Sequence, residues 1–508
     1  MFRSSLRKLN AFFENYYLYI ILFLAAALRF GNLDIRDFWY DEAFTGVAVK
    51  ENFSGMIKMI INDVHPPLYY ASLKIFASFF DYSVYGIRFF SAIFGVLAVW
   101  AAYLFAKELY DKRAGLFAAF IVAIAPFAVQ YSQEARMYAM LSFLLVMSAY
   151  FFVKALKTPL AGGLKNYILW GIFLGLACLT HYMGLVFAAT FYLAYLAWNI
   201  FDENMETQPA TFNSLKKLLP SKNIITGYLC ALLVFSFWLV RFYHHLNSLG
   251  DNLHWVRPAN FGDIFWNVQM FLFGTPLGEM SSGMPNPNNF NYITQTSVLS
   301  GLTILMTGII IYLFNKNRRK TALLFSFSFG FIGIVYLMSL LGDQYFVARY
   351  LMPGAYFIFI LLGVWLSQIR WRYVASTLAL YGILLILVVH LGFSTGWNVL
   401  EKNLGRYKNN DFYITNSFDY VIAKYYLGDQ RLHLYNVDWP IYNPSYWAAI
   451  GPGLKRTESF ANVANDPNAL IISNTSLASK HSVDPSFDPN RLQLIQQYNN
   501  ILIYKILP

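Results

Sequence analysis

The stretch FWYDEAFTG, residues 38–46, places two adjacent carboxylates, Asp41 and Glu42, directly after three aromatic side chains. It follows within ten residues of the apolar run YLYIILFLAAALRF, residues 17–30. It precedes DVHPPLYY, residues 63–70, in which a histidine stands before two prolines. Ionisable residues this close to a membrane segment are costly to retain, so they predict a functional site at the membrane edge.

Composition identifies the class of protein. Of the 508 residues, 57% are hydrophobic and only 13% are charged, whereas soluble domains carry about 25% charged residues. The net charge of +11 does not indicate nucleic acid, because the basic residues lie between apolar segments, where they set membrane topology. Cys178 and Cys230 lie inside apolar runs and indicate neither a disulfide framework nor a metal site. The first apolar run ends in ALRFGN without a small-x-small cleavage site, which predicts a retained anchor.

Apolar segments long enough to cross a bilayer recur along the chain. The fifth and sixth are nearly continuous at THYMG, residues 180–184. We predict about eleven transmembrane helices, at roughly 16–31, 88–109, 114–131, 136–156, 166–181, 182–200, 223–241, 294–314, 321–341, 347–368 and 372–393.

Charge sets the predicted orientation. With the N-terminus in the cytoplasm, the cytoplasmic loops include KELYDKR, KALKTPLAGGLK, KKLLPSK, NKNRRK and QIRWR, and all are basic. The short outer loops YSQEAR, THYMG and GDQYF are poor in Lys and Arg, as the positive-inside rule requires. The protein is therefore predicted to be a multi-pass protein of the cell's inner or plasma membrane, with loop 32–87, loop 242–293 and tail 394–508 outside.

The outer segments differ in character. In loop 32–87, FSGMIKMIIN and PPLYYASLKIFASFF predict short interfacial helices, and Pro66 and Pro67 suit the start of the second. Loop 242–293 contains GMPNPNN and has no strong period, which is typical of a mobile cover. The tail contains the β-type runs FYITNS, RLHLYNV, ALIISNT and NILIYKILP, which predict a small outer α/β domain. We therefore divide the chain into a membrane domain, 1–393, and an α/β domain, 394–508.

The unusual polar residues all fall on the predicted outer face. They are Asp41, Glu42, Asp63 and His65 in the first loop, Glu134 and Arg136 in YSQEARMY, His181, and Asp343, Arg349 and Tyr350 in GDQYFVARYLMP. Each one alone is compatible with a simple membrane–water interface, but the whole set on one face favours a site. There is no P-loop or Rossmann glycine pattern, which argues against a nucleotide-driven pump.

A sugar linked to a polyprenyl phosphate is the substrate that suits such a face. The lipid phosphate is already a good leaving group, so cations must neutralise it and one carboxylate must take the proton of the acceptor hydroxyl. Asp41 is the candidate base, and this single-carboxylate attack predicts inversion at the anomeric carbon. The candidate contacts of the donor phosphate or sugar are Arg349, Arg136, His65, Tyr350, Glu134 and, more weakly, Lys58, which on an interfacial helix more often meets lipid head groups.

Four motifs in order resemble the GT-C glycosyltransferases, in the branch of the protein O-mannosyltransferases and lipid A aminoarabinose transferases (glycosyltransferase families 39 and 83). They are WYDEA, HPPLYY, RFFSAIFGVLAVWAAYLFAKELYDKRAG and PFAVQYSQEARMYA, within residues 30–150, and ARYLMP at 348–353 also resembles a segment of that family. The resemblance implies a GT-C fold, Asp41 as the catalytic base, Glu42 as its positional neighbour and His65 near the donor phosphate.

The resemblance does not extend to a metal site or to a substrate. The aminoarabinose transferases have a metal-holding glutamate before the residue that precedes the double proline, and Val64 stands there in this chain. No cofactor is therefore predicted, although Asp63 with His65, or His244 with His245, stay open as ligands of a divalent ion. The branch moves several sugars, and its acceptors are proteins, lipids or glycans.

Two other functions stay open. A polytopic transporter or flippase of lipid-linked sugars would carry polar groups along its helices at mid-membrane depth, whereas the charges here collect at the outer rim. A non-catalytic scaffold or receptor with an outer domain would leave the carboxylates of the first loop without a role.

Overall fold

The computed structural model describes residues 2–62, 65–158, 163–202, 218–246, 256, 258–274, 292–369, 396–435, 455–457, 459–474, 477, 484 and 486–507. Helices dominate these residues. In chain order they are α1 (Phe2–Phe30), α2 (Tyr40–Lys50), α3 (Phe53–Asn62), α4 (Leu68–Ala77), α5 (Val84–Leu109), α6 (Lys112–Ile124), α7 (Pro126–Ser132), α8 (Tyr138–Lys157), α9 (Leu164–Thr180), α10 (Met183–Ile200), α11 (Lys222–Phe235), α12 (Leu239–Leu246), α13 (Gly262–Phe273), α14 (Tyr292–Lys316), α15 (Arg318–Phe325), α16 (Phe331–Leu341), α17 (Met352–Gln368), α18 (Trp397–Lys402), α19 (Ser417–Leu427) and α20 (Phe460–Ala464).

Strands occur near the C-terminus. They are β1 (Asp411–Ile414), β2 (Leu432–Tyr435), β3 (Lys455–Thr457), β4 (Ala469–Ser473), β5 (Leu492–Tyr498) and β6 (Ile501–Ile506). The four predicted β-type runs contribute β1, β2, β4 and β6, whereas β3 and β5 were not predicted.

The predicted spans correspond to helices wherever the structure describes them. Among the described residues, six helical segments are long and apolar enough to cross a membrane, and a seventh would be the bent pair α6 and α7. Shorter apolar helices are Tyr16–Phe30, Leu68–Phe80, Leu164–Thr180 and Thr303–Lys316. The span predicted at 372–393 lies outside the described residues, so the count of eleven stays a prediction.

The third predicted span is not one straight helix. Asp111 begins α6 by accepting the backbone N–H of Ala114 at 2.9 Å. Pro126 lacks an N–H and disfavours helical geometry in the residue before it, so Ala125 is extended and α6 ends there. A new helix, α7, then begins at the proline, bent by 62° from α6. The bend leads directly into SQEAR, residues 132–136.

The chain divides into two compact units. Unit 1 comprises Met1–Gly31 and Ser91–Leu391, and unit 2 comprises Asn32–Phe90 and Gly392–Pro508. The sequence assigned loop 32–87 to the membrane domain, whereas packing places this loop in one unit with the tail. The functional division at residue 393 stays a prediction.

Aromatic packing forms much of the interior of unit 1. The rings of Phe187 of α10, Phe327 and Phe357 of α17 pack against one another, with Phe187 at a ring-centroid distance of 5.7 Å from Phe327 and 5.5 Å from Phe357. Phe327 belongs to a π-helical turn, Ser326–Gly330, that joins α15 to α16. The fifth and sixth predicted spans, which are nearly continuous in the sequence, form two separate helices, because α9 ends at Thr180 and α10 begins at Met183.

A mixed sheet organises the C-terminal part of unit 2. The strand order is β3-β2-β1-β4-β6-β5, with β3, β2, β1 and β4 parallel and β6 and β5 antiparallel. One face of the sheet buries Tyr413, Tyr435, Ile471 and Tyr504 against Phe460 of α20. The predicted α/β domain is therefore present.

The first loop folds onto this domain through α2 and α19. A Cβ on Gly46 would lie 2.6 Å from the Tyr425 ring, so only glycine allows the helices to approach this closely. The Phe38 N–H donates to Tyr426 Oη at 2.9 Å, and the Lys50 ammonium donates to the Tyr425 carbonyl at 3.0 Å. Burial raises the pKa of both tyrosines, which keeps them neutral hydrogen-bonding groups.

The two predicted interfacial helices are present as α3 and as α4 with its 3₁₀ extension, Ser78–Phe80. Pro67 stands at the start of α4, as predicted. Lys74 of α4 donates to the carbonyls of Val49 and Glu51 and so satisfies acceptors at the end of α2. The loop 32–87 is therefore an ordered part of unit 2 at the residues that the structure describes.

Candidate active site

Helix α2 begins at the WYDEA motif and gives its two acids different surroundings. Glu42 is 1% exposed, and its carboxylate accepts Arg88 Nε at 2.7 Å and Arg88 Nη2 at 2.6 Å. The same carboxylate accepts the Trp39 N–H at 3.4 Å, which completes a capping arrangement at the helix start. Glu42 therefore has a structural role in ordering the motif.

Arg88 holds the chain that precedes the motif. Besides Glu42, it donates to the carbonyls of Leu33 at 2.8 Å, Arg36 at 2.6 Å and Asp37 at 3.0 Å. All five guanidinium N–H donors are thus used. No role was predicted for Arg88, the first residue of the motif RFFSAIFG, although an arginine at the start of an apolar segment is a signal of function.

Asp41 stands on the same helical turn with a half-buried side chain. Its backbone carbonyl accepts the Thr45 hydroxyl at 3.0 Å. As an acid in the first turn it is favoured by the partial positive charge of the helix N-terminus. The Asp41 side chain is thus less buried than that of Glu42.

His65 is joined to the helix of Asp41 through aromatic packing. Its half-buried ring lies 6.0 Å from that of Tyr70, and the Tyr70 ring lies 6.5 Å from that of Phe44 on α2. Lys58 on α3 is exposed, which agrees with its weaker assignment. Asp63 and Val64 lie outside the described residues.

In unit 1, Glu134 and Arg136 occupy a tight turn between α7 and α8. Glu134 is 5% exposed and Arg136 is 4% exposed. The Arg136 N–H donates to the Glu134 carbonyl at 2.8 Å, and the Ser91 hydroxyl donates to the Arg136 carbonyl at 3.1 Å. The backbone of this turn is therefore fixed by one hydrogen bond within the turn and one from Ser91 of α5.

Side-chain hydrogen bonds in both directions join α1 to the segment that contains this turn. Gln133 Nε2 donates to the Leu28 carbonyl at 3.0 Å, near the end of α1. In return, the fully buried Arg29 of α1 donates to the carbonyls of Val122 at 2.9 Å and Ala123 at 2.8 Å, at the end of α6. Each side chain satisfies carbonyls that a helix end leaves without an intrahelical partner. Arg29 was not singled out from the sequence.

Arg349 and Tyr350 lie on a 3₁₀ turn, Ala348–Leu351, before α17. The Arg349 guanidinium lies 5.8 Å from the centre of the Tyr350 ring. Tyr350 lies 5.3 Å from the His181 ring, and His181 lies 5.8 Å from the Tyr138 ring. Tyr138 begins α8, two residues after Arg136. Unit 1 therefore brings together the segments that carry Arg136, His181 and Arg349.

His181 also has a defined hydrogen bond. Its Nδ1 accepts the Met183 N–H at 3.0 Å, so in the neutral ring the proton is on Nε2. Asp343, at the start of the same loop as Arg349, is exposed and accepts the Tyr345 hydroxyl at 3.2 Å.

Within the described residues there is no group of three or more His, Cys, Asp or Glu side chains placed to hold a metal ion. Of the ligands left open by the sequence, His244 is exposed on α12, and the side chain of His245 lies outside the described part.

Comparisons with known proteins concern the family and the fold of the chain. Residues 64–240 match the family model of the dolichyl-phosphate-mannose-protein mannosyltransferases. ArnT from Cupriavidus metallidurans in the apo state has a similar structure, with a TM-score of 0.64 at 10% identity over 96% of this chain and 98% of that chain. The chain therefore shares the fold of this membrane glycosyltransferase. The predicted GT-C fold, with many apolar helices and a small C-terminal sheet domain, is confirmed.

Two further structures share the GT-C fold. ArnT bound to undecaprenyl phosphate has a TM-score of 0.58 at 12% identity, over 96% of this chain and 97% of that chain. The oligosaccharyltransferase of Archaeoglobus fulgidus tethered with an acceptor peptide has a TM-score of 0.51 at 15% identity, over 91% of this chain and 69% of that chain. A comparison with curated protein sequences found no significant match.

Proposed function

We propose that this GT-C protein transfers a sugar from a polyprenyl-phosphate donor to a hydroxyl of an acceptor on the outer face of the membrane, with inversion and with Asp41 as the base. The family model that matches residues 64–240 is named for a lipid-phosphate-sugar transferase. One of the ArnT structures that share the fold contains bound undecaprenyl phosphate. Both support a lipid-phosphate donor.

The contrast between the two acids of α2 carries the proposal. Glu42 is buried and committed to Arg88, whereas the neighbouring Asp41 is half-buried at the helix start. A general base must reach the proton of an incoming hydroxyl. Asp41, the less buried acid of the motif, is therefore the one that we assign to proton transfer.

The reaction balances with one carboxylate. The acceptor oxygen attacks the anomeric carbon, the bond from that carbon to the phosphate oxygen breaks, and the phosphate leaves with the electron pair. Asp41 takes the proton of the acceptor hydroxyl. Attack opposite the leaving phosphate inverts the anomeric carbon. A glycosidase needs a second carboxylate because its leaving alkoxide must be protonated, and a phosphate does not.

In place of that second acid, the reaction needs cations that neutralise the charge of the leaving phosphate. Arg136 and Arg349 are assigned to the donor phosphate, since a guanidinium binds phosphate through charge-assisted, bidentate hydrogen bonds. His65, Tyr350 and Glu134 are assigned to the donor phosphate or sugar. The exposed Lys58 is the weaker candidate for the same role, since a lysine on an interfacial helix more often meets lipid head groups.

The test compares Asp41→Asn with Asp34→Asn, a control in an exposed acid of the same loop. Membranes containing each variant receive undecaprenyl-phosphate-linked mannose, arabinose or aminoarabinose, each labelled in the sugar, and the label that leaves the lipid is measured. Loss of a general base slows transfer by about 10² to 10⁴-fold, so Asp41→Asn should be nearly inactive and Asp34→Asn active.

Transfer by Asp41→Asn at the wild-type rate would show that the base is another residue. Translocation of labelled donor by the wild type without loss of its sugar would instead show a flippase.

A further inference from the structure

Helix α13, in the outer loop before α14, contains an unusual asparagine. Asn267 is 4% exposed. Its Nδ2 donates to the Asp263 carbonyl at 2.7 Å, which fixes the orientation of the amide because a carbonyl can only accept. Its Oδ1 has no hydrogen-bond partner among the residues that the structure describes.

Such an oxygen is costly to retain. Buried polar atoms are nearly always hydrogen-bonded, and a buried acceptor left unsatisfied costs about 1–3 kcal/mol. A leucine of similar size would avoid this cost. An asparagine kept in this position therefore points to a partner that arrives with a ligand.

The face of α13 that carries Asn267 packs beside the proposed donor-binding residues of unit 1. Phe271 lies one turn further along and so shares the face of Asn267. Its ring lies 5.0 Å from that of Phe127 on α7, the helix that leads into Glu134 and Arg136.

The chain before α13 is held by the loop that carries Arg349. The Ala259 N–H donates to Gln344 Oε1 at 3.1 Å, and Val256 packs against Val347 and Tyr350. Helix α13 is thus fixed between the two segments that carry the proposed phosphate-binding arginines.

The chemistry of the group identifies the part of the donor that it fits. A neutral amide oxygen accepts a hydrogen bond and repels phosphate oxygens, whereas a sugar hydroxyl is a donor. We propose that Asn267 Oδ1 accepts a hydrogen bond from a hydroxyl of the donor sugar. Helix α13 would then contact the sugar, while Arg136 and Arg349 bind the phosphate. This inference rests on the proposed transfer from a lipid-phosphate sugar.

Gln269 provides a matched control on the same helix. Its Oε1 is also buried without a partner among the described residues, but its side chain as a whole is only half-buried. Two residues along a helix correspond to about 200° of rotation, so Gln269 points away from the face of Asn267. Asn267→Leu and Gln269→Leu each replace one amide side chain of α13 with an apolar leucine.

The experiment measures binding of undecaprenyl phosphate and of undecaprenyl-phosphate-linked mannose, arabinose and aminoarabinose to the purified full chain. For the sugar that the wild type prefers, Asn267→Leu should weaken binding by about tenfold, the equivalent of one hydrogen bond. Binding of undecaprenyl phosphate alone should not change, and the melting temperature should stay equal or rise. Gln269→Leu should behave like the wild type.

Equal weakening of both lipids by Asn267→Leu would assign the residue to the fold and overturn the inference, as would unchanged binding of the sugar-linked lipid. Failure of the proposed function is seen separately, when the wild type transfers no label or when Asp41→Asn transfers it at the full rate.

Discussion

Arg88 binds Glu42 through two hydrogen bonds, 2.7 Å from Nε and 2.6 Å from Nη2, and both side chains are almost completely buried. The pair connects the start of α2 to the start of α5. Both carboxylate oxygens of Glu42 bind Arg88, whereas the adjacent Asp41 of the WYDEA motif is half-buried. The geometry of this ion pair therefore separates a structural acid from the proposed base.

Breaking the pair should destabilise the protein. Glu42→Gln leaves the charge of Arg88 buried without its carboxylate, and removal of one partner of a buried ion pair costs about 3–5 kcal/mol. We expect a clear fall in the melting temperature of the purified protein, whereas Asp34→Asn, in an exposed acid, should leave it unchanged. An unaltered melting temperature in Glu42→Gln would mean that the pair contributes little to stability.

Loss of Arg349 should affect the use of the lipid donor more than loss of the Glu42 charge does. Arg349→Ala removes the proposed charge-assisted contact with the donor phosphate, so the KM for a lipid-linked sugar should rise by about tenfold or more. Arg349→Lys should recover part of this loss, because it keeps the charge but not the planar fork. Lys222→Ala, in an exposed residue at the start of α11, is the control and should change KM little. Equal, negligible effects of Arg349→Ala and Glu42→Gln on KM would refute the role.

The turn that carries Glu134 and Arg136 depends on close packing at Gly95 of α5. A Cβ added there would lie 2.3 Å from Ser132 Oγ and 2.9 Å from Arg29 Cδ. Gly95→Ala should therefore cost about 1–3 kcal/mol through overpacking. Gly333→Ala on α16 is the matched control, since no described atom lies within 4 Å of its added Cβ, and it should be neutral or slightly stabilising. Thermal unfolding of both variants distinguishes local overpacking from a general intolerance of alanine.

Unit 2 contains a carboxylate whose ionisation should stabilise the fold. Burial alone would raise the pKa of Asp484, but hydrogen bonds from Ser486, the Phe460 N–H and the Tyr435 hydroxyl outweigh burial and hold the pKa below its usual value. A lowered pKa means that the ionised form is favoured in the folded state. Its contribution is present above about pH 4, the pKa of an unfolded aspartate, and is lost as the pH falls through the folded value.

Asp484→Asn should therefore lower the melting temperature at pH 6, and its difference from the wild type should shrink as the pH falls below about 4. Asp429→Asn, in an exposed residue paired with Lys424, should have a small effect, since exposed ion pairs contribute about 0–1 kcal/mol. A difference between Asp484→Asn and the wild type that is independent of pH would assign Asp484 a packing role instead.

Local sequence signals predicted the elements that depend on short-range order. The periodicity of FSGMIKMIIN predicts a helix over the residues that form α3, and the double proline predicts the start of α4. The apolar segments predict helices for the same reason, since their hydrogen bonds are made within each segment. Helix α13 was missed because loop 242–293 has no strong hydrophobic period. The break between α6 and α7 was also missed, although Pro126 signals it.

The sequence by itself determined the class of the protein, the order of its helices, the small sheet near its C-terminus and the motifs that contain the proposed site. Only the tertiary structure decided which acid of the first motif is committed to an ion pair, and which segments hold the turn of Glu134 and Arg136. The physical reason is the distance along the chain. Composition and periodicity act over a few residues, whereas Arg88 meets Glu42 across 46 positions and Phe38 meets Tyr426 across 388. Contacts of that range exist only after the chain has packed.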